Sequence, residues 1–269
     1  MLRIAYFIKK NDLLSDSRIE KLLGELVAGG AEVYDIAGGL REATDMLLSF
    51  GGDGTFLSAA QLVGKAQIPI LGVNLGRLGF LSDADICQVG EAVLDGSYRL
   101  EQREMIEVSV NGTSLFAINE VAVLRTGSGT LGVDVSVDGQ SLPTYWADGL
   151  LVSTSTGSTA YSLSAGGPIC MPEVGVFVIA PVAPHNLNLR PLVVSQNVQI
   201  ELSAHDRHAR PAKLSVDNQD YMLPEGTVVS LKLAPFPLKR VTIGKSGFID
   251  ALKEKLLWGA DVRNTKNHE

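Results

Sequence analysis

Cysteine is scarce in this chain. Cys87 and Cys170 are the only two in 269 residues, and neither belongs to a Cys-x-x-Cys spacing. Neither a disulfide framework nor a zinc site is indicated by such a pair. Long apolar runs are missing too: stretches such as Val176-Phe-Val-Ile-Ala180 fall far short of the roughly 20 residues a membrane helix needs. Basic charge is not in excess, since 23 Lys and Arg stand against 30 Asp and Glu for a formal charge of −7. A balance of that sign argues against nonspecific nucleic-acid binding, although a few local cations and oriented amides can still hold a small anion. The amino terminus, Met1-Leu-Arg-Ile-Ala-Tyr-Phe-Ile and then Lys9-Lys10, lacks the order and the small-residue cleavage site of a signal peptide. It reads as a buried first strand, and the expected location is cytoplasmic. What is plentiful is apolar content, 45%, and glycine, 28 residues. Together they describe a turn-rich globular chain long enough to bury a sizeable core.

The apolar pattern changes period along the chain, and the fold class it predicts is α/β plus β. Over residues 1–98, β-like runs (Ile4–Ile8, Glu32–Ile36, Asp45–Phe50, Ile68–Val73) alternate with helical stretches at 16–28, about 55–64 and 83–95. Alternation of that kind gives an open parallel sheet covered by helices. The last of these helices carries Ser82 and Asp85 at its start, the pattern of a capping box. Over residues 99–245 the runs are strands: Met105–Val110, Ser114–Leu124, Val133–Val137, Leu150–Thr154, Val174–Ala180, Val198–Ser203, Lys213–Val216, Thr227–Leu233 and Arg240–Ile243. Asn111-Gly112 and Asp138-Gly139 are hairpin signals between them, so this half is expected to be an antiparallel, sandwich-like domain. Residues 246–269 read as a helical tail packing back on the first domain.

One loop in the first half draws attention. Residues 49–57 read Ser-Phe-Gly51-Gly52-Asp53-Gly54-Thr55-Phe-Leu and follow the apolar Met46-Leu47-Leu48. Glycines at a strand-to-helix turn let the backbone approach an anion, and the helix start offers unpaired N–H groups. Asp53 is out of place in a simple phosphate cradle, because a carboxylate repels phosphate. It points either to a metal or proton-transfer role or to a plain helix cap. The string Gly127-Ser-Gly129-Thr-Leu-Gly132 matches a dinucleotide fingerprint in letters only, since no helix follows it; it reads as a hairpin loop.

In the second half, Asn119-Glu120 interrupts an apolar run, and an amide and a carboxylate there need partners or a ligand. Ribose hydroxyls would serve, as would water at a sheet edge. Between Ser153 and Ser164 eight of twelve residues are Ser or Thr, flanked by apolar runs. A strand end, a turn at Gly157 and a short helix from Ser158 would present amides and hydroxyls, with Tyr161 placed to stack on a base. The pair His205 and His208 reads as solvated loop rather than metal site, and His185 as structural.

Taken together these segments resemble the NAD kinases. The matching pieces are Gly51-Gly52-Asp53-Gly54-Thr55, Asn74 to Leu81, Asn119-Glu120, residues 148–168, Pro184-His185 to Arg190-Pro191, and Ser215 to Gln219, in that family's order. The glycine loop also occurs in diacylglycerol-type lipid kinases, which remain the nearest alternative; Thr156-Gly-Ser-Thr-Ala-Tyr-Ser162 is the more specific piece. Leu75 stands where Thr is common and Ser155 where Pro is common. The resemblance implies transfer of a phosphoryl group from ATP to the adenosine ribose 2′-hydroxyl of NAD, with a divalent ion such as Mg²⁺, in a homo-oligomer that binds neither nucleic acid nor membrane. By the same resemblance Gly51, Gly52, Gly54 and Thr55 form the phosphate-donor loop, and Asp53 is the proton acceptor beside NAD. The resemblance puts the rest of the NAD site at Gly54, Asn119, Glu120, Asp148, Thr156, Thr159, Ala160, Tyr161, Ser162, Leu163 and Ser164, with Asp217 and Gln219 as weaker additions.

Overall fold

The computed structural model describes residues 1–10, 13, 15–76, 79–244 and 247–259; Arg77 and Leu78 of the family-like segment lie outside them. The described chain forms two compact units, Met1–Gln102 with the chain from Lys239 onward, and Arg103–Leu238.

The first unit opens with β1 (Arg3–Ile8), α1 (Ser17–Ala28), β2 (Glu32–Asp35), β3 (Met46–Phe50), α2 (Asp53–Val63), β4 (Ile70–Asn74), β5 (Ala84–Asp85), α3 (Ile86–Asp95) and β6 (Arg99–Arg103). β3 is buried at every position, as a strand flanked on both edges and covered on both faces must be. α1 buries Ile19, Leu22 and Leu26, the spacing of one helix face, and Asp16 caps it by accepting the Arg18 N–H at 2.9 Å. α3 starts differently from the sequence expectation. Asp85 alone is its cap, accepting the Cys87 N–H at 3.0 Å, while Ser82 is wholly buried and its N–H is used elsewhere.

The second unit contains β7 (Ile106–Val110), β8 (Thr113–Ala117), β9 (Glu120–Leu124), β10 (Leu131–Val137), β11 (Gln140–Ser141), β12 (Tyr145–Ala147), β13 (Gly149–Thr154), α4 (Tyr161–Ser164), β14 (Val176–Val182), β15 (Leu192–Ser195), β16 (Ile200–Asp206), β17 (Ala212–Val216), β18 (Gln219–Leu223) and β19 (Val228–Leu233). One sheet runs β11-β10-β16-β19-β7-β8 with β12 beside β10; the other runs β15-β14-β13-β9-β17-β18. Alternate residues of both sheets, among them Val108, Leu202 and Leu231 from one and Val121, Val152 and Phe177 from the other, share a single core, which makes a sandwich. The turns at Asn111-Gly112 and Asp138-Gly139 have positive φ at both residues, the geometry that right-twisted hairpins select. The stretch 114–124, expected as one strand, is two: β8 ends at Ala117 in one sheet and β9 begins at Glu120 in the other. Ile118 and Asn119 make the crossing.

The chain then returns to the first unit as β20 (Leu238–Thr242) and α5 (Phe248–Leu256). The sequence reading places this strand in the antiparallel series; instead β20 pairs in parallel with β4, Arg240 opposite Ile70 and Val241 opposite Leu71. The sheet order is β2-β1-β3-β4-β20-β6, with β5 against β4. Arg240 fixes the insertion. Its side chain is 4% exposed, with Nη1 2.9 Å from Glu101 Oε2, Nε donating to the Leu81 carbonyl at 3.1 Å, and Nη2 2.5 Å from Asp83 Oδ1 as a close ion pair without hydrogen-bond alignment.

Removing one partner from a buried ionic cluster strands the others, at a cost of about 3 kcal/mol. Arg240→Met is therefore expected to lower the urea midpoint of unfolding by that equivalent with the slope unchanged. An unmoved midpoint would mean that the cluster adds no net stability.

Candidate active-site residues

In the first unit the structure gathers its chemistry around Asp53. Gly52 caps α2, and its carbonyl accepts the Thr55 and Phe56 N–H groups at 2.8 and 3.1 Å. Helix geometry leaves the N–H groups of Asp53 and Gly54 without intrahelical partners. Gly52 and Gly54 are exposed, and a Cβ on either would meet nothing within 4 Å, so this face of the loop is open to a ligand.

The Asp53 carboxylate turns toward the segment after β4. Oδ1 accepts the Leu81 and Ser82 N–H groups, each at 3.0 Å, and Oδ2 accepts the Phe80 N–H at 2.9 Å and the Lys255 ammonium at 3.0 Å. Gly79 makes this possible, because a Cβ there would sit 2.0 Å from Asp53 Oδ1. Burial alone would raise the Asp53 pKa. The Lys255 charge and the three N–H groups outweigh it and hold the acid below its ordinary value. The carboxylate is therefore ionised and fixed in orientation.

Sequence reasoning locates Asp53 in its loop but assigns the 80–82 amides and Lys255 no part. The visible signal is Gly79-Phe80, a glycine before a bulky residue. For Lys255, on a helix far along the chain, there is none.

In the second unit Asn119 and Glu120 stand at the crossing between sheets. Asp217, at the β17–β18 turn, accepts the N–H groups of Ile118, Asn119 and Glu120 at 2.5, 2.9 and 3.1 Å. Asp217 and Asn218 both have positive φ, 43° and 69°, a third hairpin turn of the same kind. Glu120 is 9% exposed and its Oε2 has no partner. Burial, with Asp217 nearby, pushes its pKa up to about 8, and the Tyr161 N–H opposes the rise only in part. Burial also raises Asp217, to about 6, against the pull of its three amide donors. Near neutral pH the pair thus keeps its proton on Glu120 and its charge on Asp217.

A cavity of about 400 Å³ opens beside them, lined by Asn119, Glu120, Ala122, Leu124, Ala160, Tyr161, Lys213, Ser215, Asn218 and Asp220. Lys213 and Asp220 pair across its wall at 3.1 Å.

The Ser/Thr-rich stretch forms a 3-10 turn over Thr156–Thr159 followed by α4. Thr154 pins it, donating to the Ile118 carbonyl at 2.5 Å and accepting the Gly157 N–H at 3.0 Å. Gly157 packs on the crossing so closely that a Cβ would lie 2.0 Å from the Asn119 carbonyl oxygen. Ser155 donates to the Pro172 carbonyl at 3.1 Å, a tether in place of the rigidity of proline.

Of the residues expected here, Ala160 and Tyr161 line the cavity. Thr156 and Ser162 are buried with hydroxyls lacking partners, Thr159 donates to the Thr156 carbonyl at 3.3 Å, and Leu163 and Ser164 lie on α4. Asp148 is paired with Arg125 through two contacts of 2.7 and 3.2 Å. Gln219 begins β18 and accepts from the Tyr221 hydroxyl at 2.8 Å.

The glycine string at 127–132 feeds β10 and no helix, braced by Arg125 to the Gly127 carbonyl and Arg210 to the Ser128 carbonyl. His205, expected in a loop, lies instead on β16 with Nε2 3.3 Å from Asp134 and its ring edge-on to Trp146.

Family models match both units: the ATP-NAD kinase N-terminal domain over residues 20–98 and the ATP-NAD kinase C-terminal domain over residues 118–242. The NAD kinase of Porphyromonas gingivalis is 44% identical over 230 residues, covering 83% of this chain and 80% of that protein. The NAD kinase of Flavobacterium psychrophilum is 40% identical over 235 residues, covering 84% and 80%. Among solved structures, yeast NADH kinase complexed with NADH superposes with a TM-score of 0.85 at 25% identity over 98% of this chain and 90% of that one. The NAD kinase from Archaeoglobus fulgidus in complex with ATP gives 0.78 at 26% identity over 95% and 98%. With both domain models matched and relatives this similar over most of their length, the chain belongs to the NAD kinase family.

Proposed function

We infer that this chain transfers the terminal phosphoryl group of ATP to the 2′-hydroxyl of the adenosine ribose of NAD, giving NADP and ADP. The observation that carries the reading is Asp53, an ionised carboxylate held in one orientation at the mouth of a glycine loop and helix start. Phosphoryl transfer passes through a loose transition state, so alignment and charge neutralisation dominate over strong nucleophilic push. The bond from the ribose 2′-oxygen to phosphorus forms as the bond from phosphorus to the bridging oxygen of ADP breaks. Asp53 orients the hydroxyl and takes its proton late, as suits a weak base.

The N–H groups of Asp53 and Gly54, at the start of α2 in the Gly51–Thr55 loop, support binding of the donor phosphates. The cavity at Asn119, Glu120 and Tyr161 supports binding of NAD, with Glu120 meeting hydroxyls and Tyr161 stacking on a base. Among the described residues no group of three or more His, Cys, Asp or Glu stands ready to hold a metal. A divalent ion such as Mg²⁺ belongs in this reading to the substrate, arriving on the phosphates of ATP. Self-association is part of the same reading: β15 lies at a sheet edge and exposes Leu192 and Val193, and the loop before it exposes Leu187, an edge that proteins ordinarily cover. A cytoplasmic location completes it; among the described residues no helix is long and apolar enough to cross a membrane.

Turnover of NAD with MgATP, read through an NADP-specific dehydrogenase, tests the reaction itself. Asp53→Asn, whose amide NH2 would face the N–H and ammonium donors that the carboxylate accepts, should lose about 10²–10⁴ in kcat in protein that thermal melting shows to be folded; near-wild-type turnover would sink the base assignment.

Glu120 gives a pH-dependent prediction. Because its pKa rises from 4.5 unfolded to about 8 folded, the folded chain holds a proton that the unfolded chain releases. Its contribution to stability is complete below the unfolded value and is lost as pH climbs to the folded one. Without NAD, Glu120→Gln should match the wild type near about pH 5 and melt higher at about pH 8; parallel melting curves at both would contradict a raised pKa. With NAD, the same variant should show a KM raised about tenfold at about pH 8.5, where the wild-type carboxylate accepts fully, and a smaller gap at about pH 6.5. A KM equal to wild type throughout would place Glu120 outside the NAD site.

A further inference from the structure

Asp53 is saturated. An ionised carboxylate offers about four acceptor positions, and all four are filled, two on each oxygen. Three of the donors are backbone N–H groups of Phe80, Leu81 and Ser82. They cannot leave without moving the segment that Arg240 ties down through the Leu81 carbonyl and Asp83.

The fourth donor differs. Lys255 reaches Asp53 from the last turn of α5 on a flexible four-carbon stem, and the two side chains are 32% and 27% exposed. Its ammonium also lies 4.6 Å from the centre of the Phe80 ring, and α5 is docked by Phe248 against that same ring at 5.8 Å. Among the described residues Lys255 is the charged group acting on Asp53.

Resting on the reading of Asp53 as proton acceptor, we propose that Lys255 is the exchangeable fourth donor of this carboxylate: in the free enzyme it closes the position on Oδ2 that the acceptor hydroxyl must occupy, and substrate binding exchanges one for the other. A hydroxyl hydrogen-bonded to Asp53 has no other vacancy to enter. The ion pair thus serves as a gate on the base, kept near by the Phe80 ring and by the docked helix. It also holds Asp53 ionised while no substrate is present.

The test is the equilibrium affinity of NAD, measured by calorimetry without ATP, for wild type, Lys255→Met and Lys255→Arg, with thermal melting to confirm the fold. An exposed ion pair is a modest obstacle, so Lys255→Met should bind NAD roughly two- to fivefold more tightly, whereas Lys255→Arg, which keeps the charge, should stay within the wild-type range. Damage to the fold would weaken binding instead. Loss of the neighbouring charge should also move the acid side of the kcat/KM profile of Lys255→Met to higher pH. Unchanged or weaker NAD binding in Lys255→Met, or an acid side that does not move, overturns the gate. Asp53→Asn run beside it separates the two ideas. Turnover retained there removes the base assignment and the gate with it; turnover lost there, with NAD affinity unmoved in Lys255→Met, removes the gate alone.

Discussion

A carboxylate facing three successive backbone N–H groups is the constraint on which the first unit depends. Asp53 sits at the start of α2, where an acid favours the helix end, yet its side chain is engaged by the amides of Phe80, Leu81 and Ser82. That contact joins the turn after β3 to the turn after β4. The glycine loop is thereby held at the carboxyl edge of a parallel sheet, the place where such sheets bind ligands. Gly79 has to be glycine for the carboxylate to come this close, and Arg240 must hold Leu81 and Asp83 for the amides to stay aimed.

The second unit uses the same device in a different setting. Asp217 collects the N–H groups of Ile118, Asn119 and Glu120 at the point where the chain leaves one sheet for the other and the ladder cannot satisfy them. Buried amides left unpaired would each cost about 1–3 kcal/mol, so one carboxylate stabilises the whole crossing. A glycine again permits close approach, since Gly157 lies against the Asn119 carbonyl. The consequence is chemical. With Asp217 carrying the charge, Glu120 is left buried beside it, holding its proton near neutral pH and lining a cavity. One acid organises backbone while its neighbour remains available to a ligand.

Both acids illustrate why a family resemblance and a physical account are different things. Sequence similarity identifies Asp53 and the Asn119-Glu120 pair as places of interest. The hydrogen bonds explain how an acid can stand in a glycine loop at a helix start and stay ionised: four donors compensate its charge, three of them immobile and one carried by a side chain.

Much of this was legible in the residues. Period-2 and period-3.6 patterns located most of the longer strands and helices, because burial of one face imposes those spacings whatever the partner, while the strands β6, β12, β15 and β18 escaped them. Asn111-Gly112 and Asp138-Gly139 specified their turns through the backbone angles those residues tolerate. The glycine loop and the Ser/Thr-rich stretch announced themselves by local chemistry. Tertiary structure decided the rest, and in each case the reason is that the partner lies far along the chain. The direction of β20 depends on β4, since Arg240 lies opposite Ile70 although most of the chain separates them. Local pattern carries no information about which strand will be the neighbour, so a short apolar run reads the same in either sheet. The split of 114–124 into β8 and β9, the three amides on Asp217, and the meeting of Lys255 with Asp53 are likewise set by long-range packing. The sequence by itself determined which segments could be strands, helices and turns and which residues carried unusual chemistry. Only the folded chain decided which of those residues came within hydrogen-bonding distance, because that choice is made by burial between segments remote in sequence.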